Sequence, residues 1–211
     1  MSKRILVFGA TGQIGGIFTE KAIKAGHTVV AFVRNKSKFK FANDSNVEVI
    51  EGNATDKDAV TAAMANVDIV ISGLGNSPKS KVFILEKAYS NIIEAAEDMA
   101  NPPRCILISS IGIGGSSPFV KFLLTMIAGK GGIEDFEKAE KQVLNKARKT
   151  DYLIVRASGL TNNEEAGEYK VNLNKSIFWP KFISRSDVAQ FFLDAVEDKQ
   201  YDKSAIMLTG K

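Results

Sequence analysis

Arg4-Ile5-Leu6-Val7-Phe8-Gly9-Ala10-Thr11-Gly12-Gln13-Ile14-Gly15 is the stretch that decides the fold. An apolar run of strand character enters a glycine turn and then a segment of helical character, the three parts that together hold a pyrophosphate. Gly9 permits the tight turn out of the strand, Gly12 lets backbone N–H groups approach phosphates with no Cβ between, and Gly15 lets the helix lie close on the sheet. The N–H groups of the first helical turn complement negative charge. Alone, such a run also serves as a plain strand-to-helix connector, so its neighbours matter. Ile17 to Ala25 has helical character and stops at Gly26, a suitable left-handed C′ residue. Thr28-Val29-Val30-Ala31-Phe32-Val33 then completes a βαβ unit within the expected span of about 30 residues.

The residues after this second strand choose between cofactors. An NAD-type fingerprint needs an acidic side chain there to accept from the ribose hydroxyls, yet no Asp or Glu lies between Glu20 and Asp44. Arg34, Lys36, Lys38 and Lys40 stand in its place. A guanidinium binds a 2′-phosphate through two donors and nearby ammonium groups add positive potential, so the pattern favours NADPH over NADH. Arg34, at the strand end, is the expected ligand; Lys36 and Lys40 also suit a solvated loop.

The chain has 211 residues, of which 45% are hydrophobic, which suits one sizeable α/β domain. Its net charge of +4 is modest and its basic residues are not interleaved with aromatics, so nucleic acid is not an expected partner. A core strand begins within the first residues, leaving no room for a secretory signal, and the apolar stretch Phe119 to Ala128 is too short to span a bilayer. No membrane association is expected. The single cysteine, Cys105, lies in an apolar run and excludes an internal disulfide. A buried thiol in a reducing cytoplasm fits it.

Strands and helices alternate along the rest. Val47 to Ile50 reads as a third strand, with a helix from Lys57 to Ala65 capped by Thr55 or Asp56. Asp68 to Ser72 is a fourth strand, Lys81 to Met99 a helix, and Arg104 to Ile108 a fifth strand ending at Ser109-Ser110. Lys138 to Lys149 is helical, Tyr152 to Arg156 a sixth strand, Asp187 to Glu197 a helix, and Ala205 to Leu208 a last strand. The expected fold is α/β: residues 1–211 form a single doubly wound Rossmann-type domain whose mostly parallel sheet is covered on both faces. Ligands of such sheets bind beyond the carboxyl ends of the strands. Asn53 to Asp56, Gly73 to Ser77, Ser109-Ser110 and Arg156 to Thr161 gather there, and each group also suits ordinary turns.

Phe8 to Gln13, Val33-Arg34, Gly52-Asn53-Ala54-Thr55-Asp56, Ser109-Ser110 and the late Ile183-Ser184-Arg185-Ser186-Asp187-Val188-Ala189 together resemble the atypical short-chain dehydrogenases/reductases. Within that group the chain is most similar to the flavin reductase and biliverdin-IXβ reductase branch. The resemblance covers nearly the whole chain. It implies NADP(H) binding and hydride transfer to a small planar acceptor such as a flavin. It places Gly9, Thr11, Gly12, Gln13, Ile14 and Gly15 on the pyrophosphate, Arg34 and Lys38 on the 2′-phosphate, and Asn53 and Ala54 beside the adenine. Leu74 and Gly75 would line the path to the nicotinamide. Ser109 is expected at the cofactor, and Ser110 beside nicotinamide and acceptor as a hydrogen-bond donor or proton relay.

Two departures shape the functional expectation. Dehydrogenases of this group that act on alcohols or carbonyls use a Tyr with a Lys four residues on. Here Tyr89, Tyr152, Tyr169 and Tyr201 are followed at that spacing by Ile93, Arg156, Leu173 and Ala205. Biliverdin-reducing relatives place a histidine near the acceptor where this chain has Gly159. The sole histidine, His27, falls in a turn at the far end of the sheet. Flavin reduction tolerates these losses, since it needs stacking on the nicotinamide more than a dedicated acid. One His and one Cys give no metal cluster.

The glycine-rich segment 112–132 is the expected variable part, as a lid or as a helix packed on the domain or on a second subunit. Phe178-Trp179-Pro180-Lys181-Phe182 offers aromatics to wall an acceptor pocket. A monomer or homodimer is expected. The rival reading is a non-catalytic NADP(H) sensor resembling the NmrA-like regulators; epimerase chemistry is a third.

Overall fold

The computed structural model of the protein describes residues 1–75, 82–113, 125–126, 130–163, 167–173 and 181–211. Strand β1 (Arg4–Phe8) leads through the glycine turn into helix α1 (Gln13–Lys24), followed by β2 (Thr28–Val33) and a 3-10 turn (Lys36–Lys38). Then come β3 (Val47–Glu51), α2 (Lys57–Ala63), β4 (Ile69–Ser72), α3 (Leu85–Glu97) and β5 (Arg104–Ser110). The rest is α4 (Lys130–Lys146), β6 (Tyr152–Ala157), β7 (Leu160–Thr161), β8 (Tyr169–Asn172), β9 (Ile183–Ser184), α5 (Arg185–Glu197) and β10 (Ser204–Gly210).

Among the described residues the sheet has eight strands in the order β3-β2-β1-β4-β5-β6-β10-β8. All pairings are parallel except β10 with β8, which is antiparallel. Successive strand side chains point to opposite faces, and this divides the core in two. Ile5, Val7, Val29, Ile71, Ile106 and Val155 pack on one face under Phe18 of α1 and Phe192 of α5. Leu6, Phe8, Val30, Val70, Leu107 and Ile154 pack on the other under Val60 of α2, Tyr89 and Ile92 of α3 and Val143 of α4. The expected doubly wound α/β fold is the one found.

Helix ends follow local chemistry where the cap is local. Gly26 takes φ +83° after α1 and the amide of His27 returns to the carbonyl of Ala22. Of the two candidate caps of α2, Asp56 is the one used: its carboxylate accepts from the amides of Asp58 and Ala59. Helix α3 differs. It begins at Leu85, and the buried Asp135 of α4 reaches across to accept from the amides of Leu85 at 2.9 Å and Glu86 at 3.0 Å. That cap comes from a residue fifty positions away and has no local signature.

Several expected boundaries are corrected. The helix expected over Lys138 to Lys149 runs from Lys130 to Lys146, so Lys130 to Gly132, assigned to the variable segment, open a helix. Glycines at 131 and 132 lowered its helical signal, but Gly132 and Ile133 are buried against the body of the domain and packing overrides that propensity. Strand β5 extends two residues further, through both serines. Strand β8 and the short β7–β9 pair were not expected, because two- and four-residue strands carry too little periodicity to register. Most of segment 112–132, together with Phe178, Trp179 and Pro180, lies outside the described residues.

Candidate dinucleotide and acceptor site

Strand order reverses between β1 and β4, and at that crevice the glycines interlock. Gly9 has φ +76°, and a Cβ there would stand 3.0 Å from the carbonyl of Gly73 and the amide nitrogen of Leu74. A Cβ on Gly15 would overlap the carbonyl oxygen of Gly9, and one on Gly73 would lie 3.1 Å from the nitrogen of Gly15. Helix α1 therefore sits on the ends of β1 and β4 at a distance that only bare backbone allows.

The start of α1 is left open. Its N-cap residue, Gly12, supplies no side-chain hydrogen bond and the first turn carries no acidic residue. By contrast α2 and α5 are capped by Asp56 and Ser184. Thr11, Gly12 and Gln13 are exposed there, whereas Ile14 and Gly15 are buried. The amide of Gly12 returns to the carbonyl of Gly9 at 2.8 Å, and a helix start whose first N–H groups take no side-chain cap suits an anion such as the diphosphate of a dinucleotide.

A cleft of about 160 Å³ continues from this turn and is lined by Gly9, Thr11, Gly12, Arg34, Asn53, Ala54, Leu74 and Gly75, with Phe8 and Phe32 among its walls. These two rings pack at 4.9 Å between centroids, and the bare Gly52 makes room for Phe32, whose ring a Cβ at 52 would overlap. Arg34 and Lys38 are exposed and, among the described residues, have no carboxylate partner. Lys40 is engaged, 3.5 Å from Glu20 and over the ring of Phe41. Lys38 lines a second cavity of about 260 Å³ on the other side of Gly12 and Gln13.

Asn53 turns its side chain onto the amide of Thr55, and the carbonyl of Ala54 is held at 3.0 Å by the side-chain amide of Asn91. Asn91 is fully buried on α3, and among the described residues its Oδ1 has no hydrogen-bond partner. In the sequence Asn91 stands out only as an amide among the apolar residues of the inward face of α3.

Ser110 is half-buried at the end of β5 and its hydroxyl donates to the carbonyl of Ile111 at 3.0 Å. Ser109 faces the other way. It is buried, and its hydroxyl donates to Oε1 of Glu140 at 2.6 Å, which commits its proton to that carboxylate. Glu140 also receives Nε and Nη2 of Arg156, the latter at 2.6 Å from Oε2. Tyr89 is buried under this strand and donates to the carbonyl of Ile108 at 2.6 Å; burial pushes its phenol well above the usual range. Tyr152 and Arg156 thus belong to the core strand, with Arg156 committed to a carboxylate.

The position where relatives of the expected branch carry histidine is filled differently. A Cβ on Gly159 would overlap the ring of Phe182, which is 72% exposed. The backbone around Phe182 is clamped: Ser158 donates to the carbonyl of Lys181 at 2.6 Å and Ile183 to that of Gly159 at 3.0 Å. His27 lies at the opposite end of the sheet, where its Nδ1 accepts from the amide of Lys3 at 3.2 Å. Among the described residues no group of three His, Cys, Asp or Glu side chains forms a metal site, and no helix is long and apolar enough to cross a membrane.

The switch-point crevice, interlocked glycines and uncapped helix define a Rossmann-type dinucleotide-binding protein. The chain belongs to the NAD(P)H-binding family, whose profile matches residues 9–199. It is 25% identical over 204 residues to the photosystem II assembly factor Ycf39 of Synechocystis, covering 92% of this chain and 58% of that protein. It is also 32% identical over 96 residues to a probable pinoresinol-lariciresinol reductase of Arabidopsis thaliana, covering 44% of this chain and 30% of that one. The chain therefore spans less than two thirds of the length of these curated relatives. Its fold matches that of ChuY, an anaerobilin reductase of Escherichia coli, with TM-score 0.81, 24% identity and coverage of 98% and 97%. A short-chain dehydrogenase/reductase of Veillonella parvula solved with NADP matches with TM-score 0.84 and 19% identity over 99% and 95% of the two chains.

Proposed function

We propose that this protein is an NADPH-dependent reductase that passes hydride to a small planar acceptor, with flavin the favoured one, and that residues 1–211 act as a single domain. The observation that carries the reading is Arg34, an exposed guanidinium with no carboxylate partner among the described residues, on the rim of the cleft that begins at the glycine turn. It suits a dianionic 2′-phosphate through charge-assisted hydrogen bonds, and Lys38, on the neighbouring cavity, adds positive potential. Gly9, Thr11, Gly12, Gln13, Ile14 and Gly15 would receive the diphosphate, Asn53 and Ala54 the adenine, and Leu74 and Gly75 the nicotinamide side. Bound there, a nicotinamide cofactor supplies hydride. The chain's own part is to bind, orient and shield it.

The acceptor reading rests on what stands at the ends of β5 and β6. Ser110 offers a hydroxyl, and Phe182 an exposed ring whose backbone is held in place. No Tyr/Lys pair is present in the sequence, and the histidine is at the other end of the sheet. A flavin, whose reduction depends on ring stacking more than on a protein acid, suits such a site. The anaerobilin reductase among the fold neighbours is in keeping with a conjugated acceptor. The likeness to an assembly factor over 92% of the chain supports a second reading, a non-catalytic protein that responds to NADP(H).

One assay separates them: NADPH oxidation with FMN, riboflavin and a quinone, beside titrations of NADPH and NADH. Turnover with tighter NADPH binding is expected. Tight binding without turnover on any of the three would overturn the reductase reading in favour of the second.

A further inference from the structure

Most of the run Ile183 to Ala189 is accounted for by packing. Ser184 caps α5 by accepting from the amide of Asp187 at 2.9 Å and donates to the same residue's carboxylate at 2.7 Å, while Val188 and Ala189 are buried. Arg185 is the exception. It is the first residue of α5, where the positive end of the helix dipole disfavours a cation by about 0.3–1 kcal/mol. Among the described residues it has no carboxylate partner. A charge that breaks a local rule and is left unneutralised points to something outside the chain.

Its surroundings say what. Nη1 of Arg185 donates to Oδ1 of Asn162 at 2.7 Å, and the same oxygen receives Nε2 of Gln13 in a longer contact of 3.4 Å. Gln13 opens α1 at the uncapped end described above. Asn162 follows β7, whose pairing with β9 places the start of α5 beside it. The tertiary fold thus sets a guanidinium within two side-chain contacts of the glycine turn, on the side away from Arg34.

We propose that Arg185, positioned by Asn162, is a second cationic ligand of the cofactor and acts on its diphosphate. This rests on the dinucleotide reading of the glycine turn. Arg34 faces a group that NADPH has and NADH lacks, whereas the diphosphate is common to both. Arg185 therefore adds affinity without discrimination, and Arg34 discriminates.

The test is equilibrium binding of NADPH, NADH and adenosine 2′-monophosphate to the wild-type chain and to Arg185→Ala, with thermal melting alongside. Arg185→Ala should weaken NADPH and NADH alike by roughly tenfold, as for loss of one charge-assisted contact, and leave the monophosphate unchanged. Its melting temperature should not fall, because a cation leaves the positive end of a helix. Asn162→Asp, which neutralises the guanidinium in place, should weaken both dinucleotides in the same direction. Unchanged dinucleotide affinity in both variants, or a loss confined to NADPH, would overturn the proposal. Failure of the wild-type chain to bind any dinucleotide would instead remove the reading on which it rests.

Discussion

The Arg156 guanidinium and the Glu140 carboxylate form an ion pair in the interior, with side chains 7% and 3% exposed and Nη2 to Oε2 at 2.6 Å. The pair joins α4 to β6 directly beneath the serines of β5, since Ser109 donates to the same carboxylate and Ser109 and Arg156 are register partners. A pair so buried adds little net stability over a well-packed apolar one, but breaking it leaves a charge unpaired. Glu140→Ala should cost about 3–5 kcal/mol in denaturant unfolding, and the double variant Glu140→Leu, Arg156→Met should recover much of that. A single variant that unfolds like the wild type would show the pair to be dispensable.

Arg34 gives the cofactor prediction. Arg34→Ala should weaken NADPH by about 1 to 3 kcal/mol, as for a lost hydrogen bond to a charged group, and leave NADH nearly unchanged. Titration of both nucleotides reads this directly. Equal losses would place Arg34 away from the 2′-phosphate.

Gly159 and Phe182 give the acceptor prediction. An added Cβ at 159 would stand 2.3 Å from Cδ1 and Cε1 of the Phe182 ring, which is 72% exposed and has room to swing aside, so Gly159→Ala should change stability by about 1 kcal/mol and displace the ring. Displacing the ring should raise KM for FMN several-fold while the affinity for NADPH stays constant. Phe182→Ala should do the same. Unaltered KM in both would remove Phe182 from the acceptor wall.

His27 gives a pH prediction. Burial is the largest cause holding its imidazole below the ordinary value of 6.5, and the neutral ring accepts the amide of Lys3. A group with a depressed folded pKa contributes stability above its unfolded pKa and loses it as pH falls towards the folded one. Stability should therefore drop on acidification from about pH 7 to 5, and His27→Gln, which keeps an acceptor but cannot titrate, should show a shallower drop over that window. Parallel curves for the two proteins would assign the drop to other groups.

The βαβ start, the alternation of strands and helices and the parallel sheet are legible in the chain alone, because each rests on residues close together in it. Strand β2 was legible to the residue, and so were the positive-φ turns at Gly9 and Gly26, since apolar runs bounded by glycine leave few local choices. The cleft residues Arg34, Asn53, Ala54, Leu74 and Gly75 were legible as ends of strands, and a parallel sheet brings such ends together on one edge. Long-range packing sets the rest: Ser109 turns inward to Glu140, Asp135 caps α3, Asn91 holds Ala54, and Phe182 covers Gly159. Each of these joins residues distant in sequence, through side-chain directions that only packing fixes. For the same reason Arg185, visible in the sequence only as part of a helix start, acquired its place beside the glycine turn from the pairing of β7 with β9.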